Sequence, residues 1–207
     1  MSSTRKQLVK AACIAGFLAA ASGAMANAEL NKPAPGFTAF GADGKVVKLD
    51  AYKGKTVVLE WTNHECPYVV KHYDSGNIPT LQKDAASKGV VWLQVVSSAP
   101  GKQGHVEGDA AQALNTKRKA APAGTVLDPD GKIGKLYGAQ TTPHIFIVNA
   151  AGQLVYKGGI DSIPTTKKED LSKAENYVVA ALSAVGAGKP VEKANTKPYG
   201  CSIKYAG

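Results

Sequence analysis

Cys66 and Cys201 are the side chains of this sequence best suited to covalent chemistry. Cys66 stands directly before Pro67, and proline suits the first position of a helix because the N–H it lacks has no acceptor there. A cysteine at that point faces unpaired N–H groups and the positive end of the helix dipole, both of which favour the thiolate, the nucleophilic form of sulfur. Cys201, in Pro198-Tyr199-Gly200-Cys201-Ser202, supplies a second sulfur with which the first can exchange. Titratable neighbours are Glu60, His64, His72 and His144. Glu60 lies six residues before Cys66, either as a proton acceptor near the thiol or as a charged strand end at the sheet rim. His144 follows Pro143 and is expected to face the Cys66 loop as a thiolate partner. Glu65 directly precedes Cys66 and would raise its pKa if turned inward; a surface position is its default.

The redox compartment decides what two cysteines mean. Arg5, Lys6 and Lys10, an apolar stretch over residues 11–21, and the small-x-small sites Ala24-Met25-Ala26 and Ala26-Asn27-Ala28 together read as a cleaved secretory signal over residues 1–28. The apolar stretch is rich in Ala and Gly, too weak for a bilayer span of about 20 strongly apolar residues. Cys13, the third cysteine, leaves with that segment, so the mature chain carries Cys66 and Cys201 alone into an oxidising compartment, the periplasm or the exterior. A chain of this length builds a core large enough to be stable without a staple, which shifts weight from an inert bridge toward chemistry. Loss of the segment leaves 22 basic against 16 acidic residues, with Arg118 the one remaining arginine. Scattered lysines without interleaved aromatics do not track a nucleic-acid backbone, and nucleic acid is excluded as a partner.

The elements that must position these residues alternate. Residues 37–40 and 46–49 flank Ala42-Asp43-Gly44 as an opening β-hairpin. Residues 56–61 and 90–96 are apolar runs of buried-strand type, separated by helix-forming stretches over 67–88 that break near Gly76 and Pro79. A short helix is expected over 109–118 with Ala110, Ala113 and Leu114 on its inner face. Residues 125–127 form a short strand ending in the turn Asp128-Pro129-Asp130-Gly131, and 133–137 make a turn or two of helix. A second hairpin joins 145–148 to 154–158, and one long helix is expected over 168–185. No internal repeat is present. Residues 29–188 thus make one α/β domain, a sheet with helices on both faces. The tail, 189–207, is Lys- and Pro-rich, with the composition of a connector that lets Cys201 move, while Tyr199, Ile203 and Tyr205 give it the means to dock.

The run Val57-Val58-Leu59-Glu60-Trp61 followed by Cys66-Pro67-Tyr68-Val69 resembles the strand, tryptophan and active-site cysteine of the thioredoxin-like superfamily, in its redoxin and peroxiredoxin-like branch. Thr142-Pro143 before a central strand is similar to the cis-proline loop of that family, where proline needs a reason because it lacks the ladder donor. The resemblance spans nearly all of the mature chain. It implies a thioredoxin-like fold with a central mixed sheet, a cis peptide at Thr142-Pro143 beside Cys66, and a backbone edge there open to substrate. The departures are equally specific. Position 69 is Val, so a local Cys-x-x-Cys pair is impossible; and where peroxiredoxins carry Pro-x-x-x-Thr-x-x-Cys, this chain has Leu59 and Asn63. Asn63, His64, Lys71 or backbone donors must then replace the missing anion-holding groups.

The resemblance implies an exported thiol oxidoreductase, peroxidase-like, with Cys66 as nucleophile on a peroxide or disulfide, Cys201 or an external thiol resolving, and an external thiol reductant. Pro67, Thr142, Pro143, His144, Glu60, Trp61, Asn63 and His64 are the residues expected to bind or activate around that pair. No cofactor and no metal is expected. Two other readings are open on the same residues: copper handling through Cys66 and nearby histidines, and a peptide-binding module that has lost turnover and uses the Thr142-Pro143 edge.

Overall fold

A computed structural model describes residues 28–207; the signal-peptide reading of residues 1–28 falls, but for Ala28, outside the described residues. Apolar runs of strand length assemble a seven-stranded mixed sheet in the order β2-β1-β5-β4-β3-β7-β8. Its centre is three parallel strands, β3 (Val57–Trp61), β4 (Val91–Val96) and β5 (Gly124–Leu127). Both flanks are antiparallel, β1 (Thr38–Gly41) with β2 (Val46–Lys48) on one side and β7 (His144–Val148) with β8 (Leu154–Gly158) on the other. β3 and β4 are buried along their whole length, which is why they read as unbroken apolar runs rather than alternating ones. A separate two-stranded ribbon pairs β6 (Thr141–Thr142) with β9 (Cys201–Ser202). The opening hairpin, the closing hairpin and the thioredoxin-like architecture expected from the sequence are all present.

Strand alternation sorts the interior into two cores. Leu59, Trp61, Leu93, Val95, Phe146 and Val148 face one side, together with Ala28, Tyr137 of α4 (Lys132–Tyr137) and Ile203. Val58, Trp92, Ile145 and Ile147 face the other, against α1 (Pro67–Asp74), α2 (Asn77–Ser87) and α5 (Tyr177–Gly186). Helices therefore cover both faces. A row of polar residues crosses the second face at one register: Glu60 opposes Gln94 and Gln94 opposes Thr125. These three are buried, and their partners come from the covering helices, among them Tyr73, Gln82 and Asn115.

Four local expectations are corrected. The break between α1 and α2 falls at Gly76, in the left-handed region at φ 77°, and Pro79 does not interrupt the helix. Pro79 is in the first turn of α2, where backbone N–H groups have no intrahelical acceptor to lose. In α3 (Gly108–Lys117) the inward residue is Ala111 and not Ala110 or Ala113. The close approach of Gly108 to the Ala42 backbone and the bond from Asn115 to Thr125 fix that rotation. The long helix expected over 168–185 is a 3₁₀ turn (Lys168–Ser172) and then α5, which starts at Tyr177 because Asn176 caps it. Its side chain accepts from the N–H groups of Val178 and Val179, both at 3.1 Å. Lastly, the connector in the tail is docked: around a bridge at Asn195 the Lys157 N–H donates to the Ala194 carbonyl and the Lys157 carbonyl accepts from the Thr196 N–H, and Thr196 Oγ1 bonds Tyr156 and Gly159.

Because the cap and not the apolar periodicity sets where α5 begins, Asn176→Ala is expected to destabilise the protein by about 1 kcal/mol. A lower denaturant midpoint with an unchanged m value is the signature, and an unmoved midpoint refutes it.

Candidate active site

The turn before α1 builds the approach to Cys66. The Asn63 carbonyl accepts from the Cys66 N–H at 3.1 Å and Asn63 Oδ1 accepts from the Glu65 N–H at 2.9 Å. Glu65 Oε2 in turn accepts from the Gly104 N–H at 2.5 Å, pinning a neighbouring loop, so this carboxylate is spent on structure and does not act on the sulfur. Cys66 occupies the N-cap of α1 with extended backbone, followed by Pro67 at the first helical position, as expected. The cysteine is completely buried.

Cys66 Sγ lies 3.1 Å from the carbonyl oxygen of Thr142, and the Thr142–Pro143 peptide is cis. The β6–β9 register sets Thr142 opposite Cys201. As a result Cys66 and Cys201, both free thiols, flank the same residue, Thr142. Cys66, Pro67, Thr142, Pro143 and Cys201 therefore form one cluster. Burial pushes the Cys66 thiol up, but the thiol and backbone N–H of Cys201, the Val69 N–H and the Thr142 side chain outweigh it, and Cys66 sits below the ordinary thiol value. Cys201 is pushed up to about 11, by partial burial and then by its bond and charge repulsion with Cys66.

Four expected neighbours are elsewhere, two of them, Trp61 and His144, for reasons of strand parity. Trp61 and His144 point into the first core, on the sheet face opposite Cys66. The Trp61 indole N–H donates to Ser97 Oγ at 3.0 Å. His144 stacks on Phe146 at 4.5 Å, and its Nδ1 accepts from the Gln140 N–H at 3.2 Å. Burial and then Lys157 lower its pKa to about 3, so it stays neutral and is no thiolate partner. Glu60 is neither at a rim nor bonded to sulfur. It is fully buried and accepts from Tyr73 Oη (2.7 Å), Trp92 Nε1 (2.7 Å) and Gln82 Nε2 (3.3 Å), and burial raises its pKa despite those bonds. His64 is half-buried beside Arg118 in a small cavity that neither sulfur lines.

A second polar cluster behind the site carried no sequence signal as a unit. Tyr199 Oη donates to Asp161 Oδ1 at 2.6 Å and receives Lys71 Nζ at 3.4 Å. Asn77 Nδ2 lies 2.8 Å from His72 Nδ1, which leaves Nε2–H to meet Tyr199 Oη at 3.2 Å. Lys71 Nζ and His72 Nε2 each lie 3.7 Å from Asp161 Oδ2, with all three side chains almost without solvent contact. Burial, and after it the Lys71 charge, hold His72 neutral with a pKa of about 3. Lys71 therefore serves Asp161 and Tyr199 and does not replace the missing anion-holding groups at Cys66. Among the described residues no group of three or more His, Cys, Asp or Glu converges as a metal cluster.

With this geometry in place, the comparisons with known proteins are specific. The Redoxin family model matches residues 29–178. An uncharacterized conserved protein from Geobacillus kaustophilus is 27% identical, over 86% of this chain and 93% of its own, with a TM-score of 0.72. A hypothetical protein from Sinorhizobium meliloti is 23% identical over 86% and 95%, at a TM-score of 0.69. A putative thiol:disulfide interchange protein DsbE from Chlorobium tepidum, 22% identical over 75% and 99% at 0.55, shares the fold. No curated protein matches the chain.

Since Cys201 is among the groups that lower the Cys66 pKa, a thiolate absorbance titration of Cys66 is expected to give a midpoint below the free-thiol value of about 8.5 in Cys201→Ser, where a hydroxyl can take the place of the thiol as donor. Cys201→Ala is expected to shift that midpoint upward, toward or above the free value. Equal midpoints in the two variants exclude the bond as the cause.

Proposed function

The chain belongs to the Redoxin family, thiol-dependent oxidoreductases of thioredoxin-like fold, and on that premise we propose that Cys66 and Cys201 are the sulfurs of its catalytic cycle, linked as a dithiol and an intrachain disulfide. The observation that carries the proposal is the β6–β9 pairing, which sets Cys201 across from Thr142 while the Thr142 carbonyl touches Cys66. It supplies the partner that Val69 denies to a Cys-x-x-Cys cycle.

On a hydroperoxide, the Cys66 thiolate attacks one peroxide oxygen; an S–O bond forms, the O–O bond breaks, and the departing alkoxide takes a proton from solvent to leave as alcohol or water. Loss of the thiolate charge removes part of what keeps Cys201 protonated. The Cys201 sulfur then attacks the sulfenic acid, closing the disulfide and releasing water. On a disulfide substrate the same two attacks pass through a mixed disulfide and release two thiols. Restoration takes two equivalents of an external thiol. The first attacks Cys201, the sulfur with solvent exposure, and expels Cys66, because the thiol of lower pKa leaves faster. The second releases Cys201 and departs with the first as a disulfide.

We read the protein as exported, and the packing of Ala28 supports a signal that ends before that residue. Ala28 is buried in the first core and its carbonyl accepts from Lys157 Nζ at 3.1 Å. Cleavage after Ala26 keeps that residue, whereas cleavage after Ala28 removes it. No described helix is long and apolar enough to cross a membrane.

Two outcomes are expected. Peroxide treatment of the reduced wild type yields a Cys66–Cys201 disulfide within one chain, and brief exposure of that form to glutathione places the mixed disulfide on Cys201. Cys201→Ser keeps its melting temperature within about 3 °C, as the tail has other anchors, and accumulates sulfenic or sulfinic acid at Cys66; an unmodified Cys66 thiol in peroxide refutes the cycle. Separately, the exported protein is expected to begin at Asn27, and an N-terminus at Glu29 overturns the boundary.

A further inference from the structure

A strand edge next to a reactive sulfur is where an extended polypeptide adds itself through main-chain hydrogen bonds. In this protein the edge at Thr141–Thr142 is already taken by the chain's own C-terminus. Thr141 pairs with Ser202 and Thr142 with Cys201, and the pairing continues as Ile203 N–H donates to the Gln140 carbonyl at 3.0 Å. On the far side of the tail, the Ala99 N–H donates to the Lys204 carbonyl at 2.8 Å. Beneath this strand Cys66 has no solvent exposure. A disulfide carried between two polypeptide segments must lay one of them along the sulfur, and that position is filled.

The anchor of the strand is Tyr199. Its hydroxyl reaches into the Lys71–Asp161–His72 cluster, and its ring packs edge-on against Tyr68, centroids 5.7 Å apart. Gly200 then brings the backbone directly onto the Thr142 carbonyl, at a φ of 127° and so close that any Cβ would run into that oxygen. The strand is thus held by a polar plug on one side of Gly200 and seated by the absence of a side chain at Gly200 itself.

Resting on the sulfur pair proposed above, we infer that the 199–204 strand, anchored by Tyr199 and seated by Gly200, is a specificity element that excludes protein disulfides from Cys66 and reserves it for small hydroperoxides. The oxidising half-cycle is then the peroxide one, with the O–O bond broken and water released on closure. The reductant is a thiol small enough to reach Cys201.

The test uses the full mature chain with hydrogen peroxide and insulin as probes, in wild type, Tyr199→Phe and Gly200→Ala. Tyr199→Phe keeps the ring and removes the hydroxyl; Gly200→Ala leaves the polar cluster alone and forces the strand from β6. In the wild type, peroxide is expected to close the Cys66–Cys201 disulfide, while insulin reduction by dithiothreitol runs no faster than without the protein. Both variants are expected to expose the 199–204 amides to hydrogen exchange and to accelerate insulin reduction about tenfold or more, an acceleration abolished by adding Cys66→Ser. Wild-type insulin reduction at the variants' rate overturns the inference, as does a released strand that leaves insulin untouched. Amides as protected in Tyr199→Phe as in the wild type overturn the anchoring role. Failure of peroxide to close the disulfide in the wild type refutes the sulfur pairing instead, a separate readout from the insulin ratio.

Discussion

Two residues of antiparallel pairing, Cys201–Ser202 against Thr141–Thr142, hold the candidate site together. Without them Cys66 is a lone thiol at a helix N-terminus, resembling an active-site cysteine but lacking a partner. With them it gains a hydrogen-bond donor, a cover and a second sulfur at once. So short a ribbon has little stability of its own. It persists because its ends are fixed: Tyr199 enters the second core's margin and Ile203 the first, so the tail straddles the end of the sheet.

The anchor is electrostatically unusual. Lys71, His72 and Asp161 are removed from water together, which raises a desolvation cost that Coulomb attraction alone seldom offsets. Tyr199 supplies hydrogen bonds to all three and is itself the residue whose presence depends on the tail being docked. Undocking the tail therefore leaves a buried lysine and aspartate short of partners, and that penalty pulls the tail back. The polar row Glu60-Gln94-Thr125 on the same sheet face is different in kind. It is closed off by helices and Trp92, takes no part at the sulfurs, and specifies how α1, α2 and α3 register on the strands.

Much of this was legible in the order of residues. Cys66-Pro67 marked a helix N-cap, the unbroken runs at β3 and β4 marked buried parallel strands, and Thr142-Pro143 marked the loop beside the sulfur. What misled was direction. Trp61 and His144 are close to Cys66 and Pro143 along the chain, yet a period of two sends them to the opposite face, and sequence proximity carries no sign for that. The apolar spacing over 168–185 suggested one helix because periodicity does not report where a cap begins. Asp161 and Lys71 are ordinary charged residues by local context, and only the long-range fold removes them from water. The lysines and prolines of residues 189–197 have a connector's composition, but Tyr199, Ile203 and Tyr205 give the tail its means to dock, and they outweigh that composition once each has a place to bury.

Ala28 and Ile203 belong to the same apolar core, so the first described residue and the C-terminal segment help to fill one interior. Synthesis delivers these two segments at different times. Neither core is complete before the 199–204 segment docks, and until then the first core is unsealed. Filling that core brings together segments far apart in sequence, a slow event in folding. Of the two sulfurs, the one made later is the one whose strand covers the one made earlier.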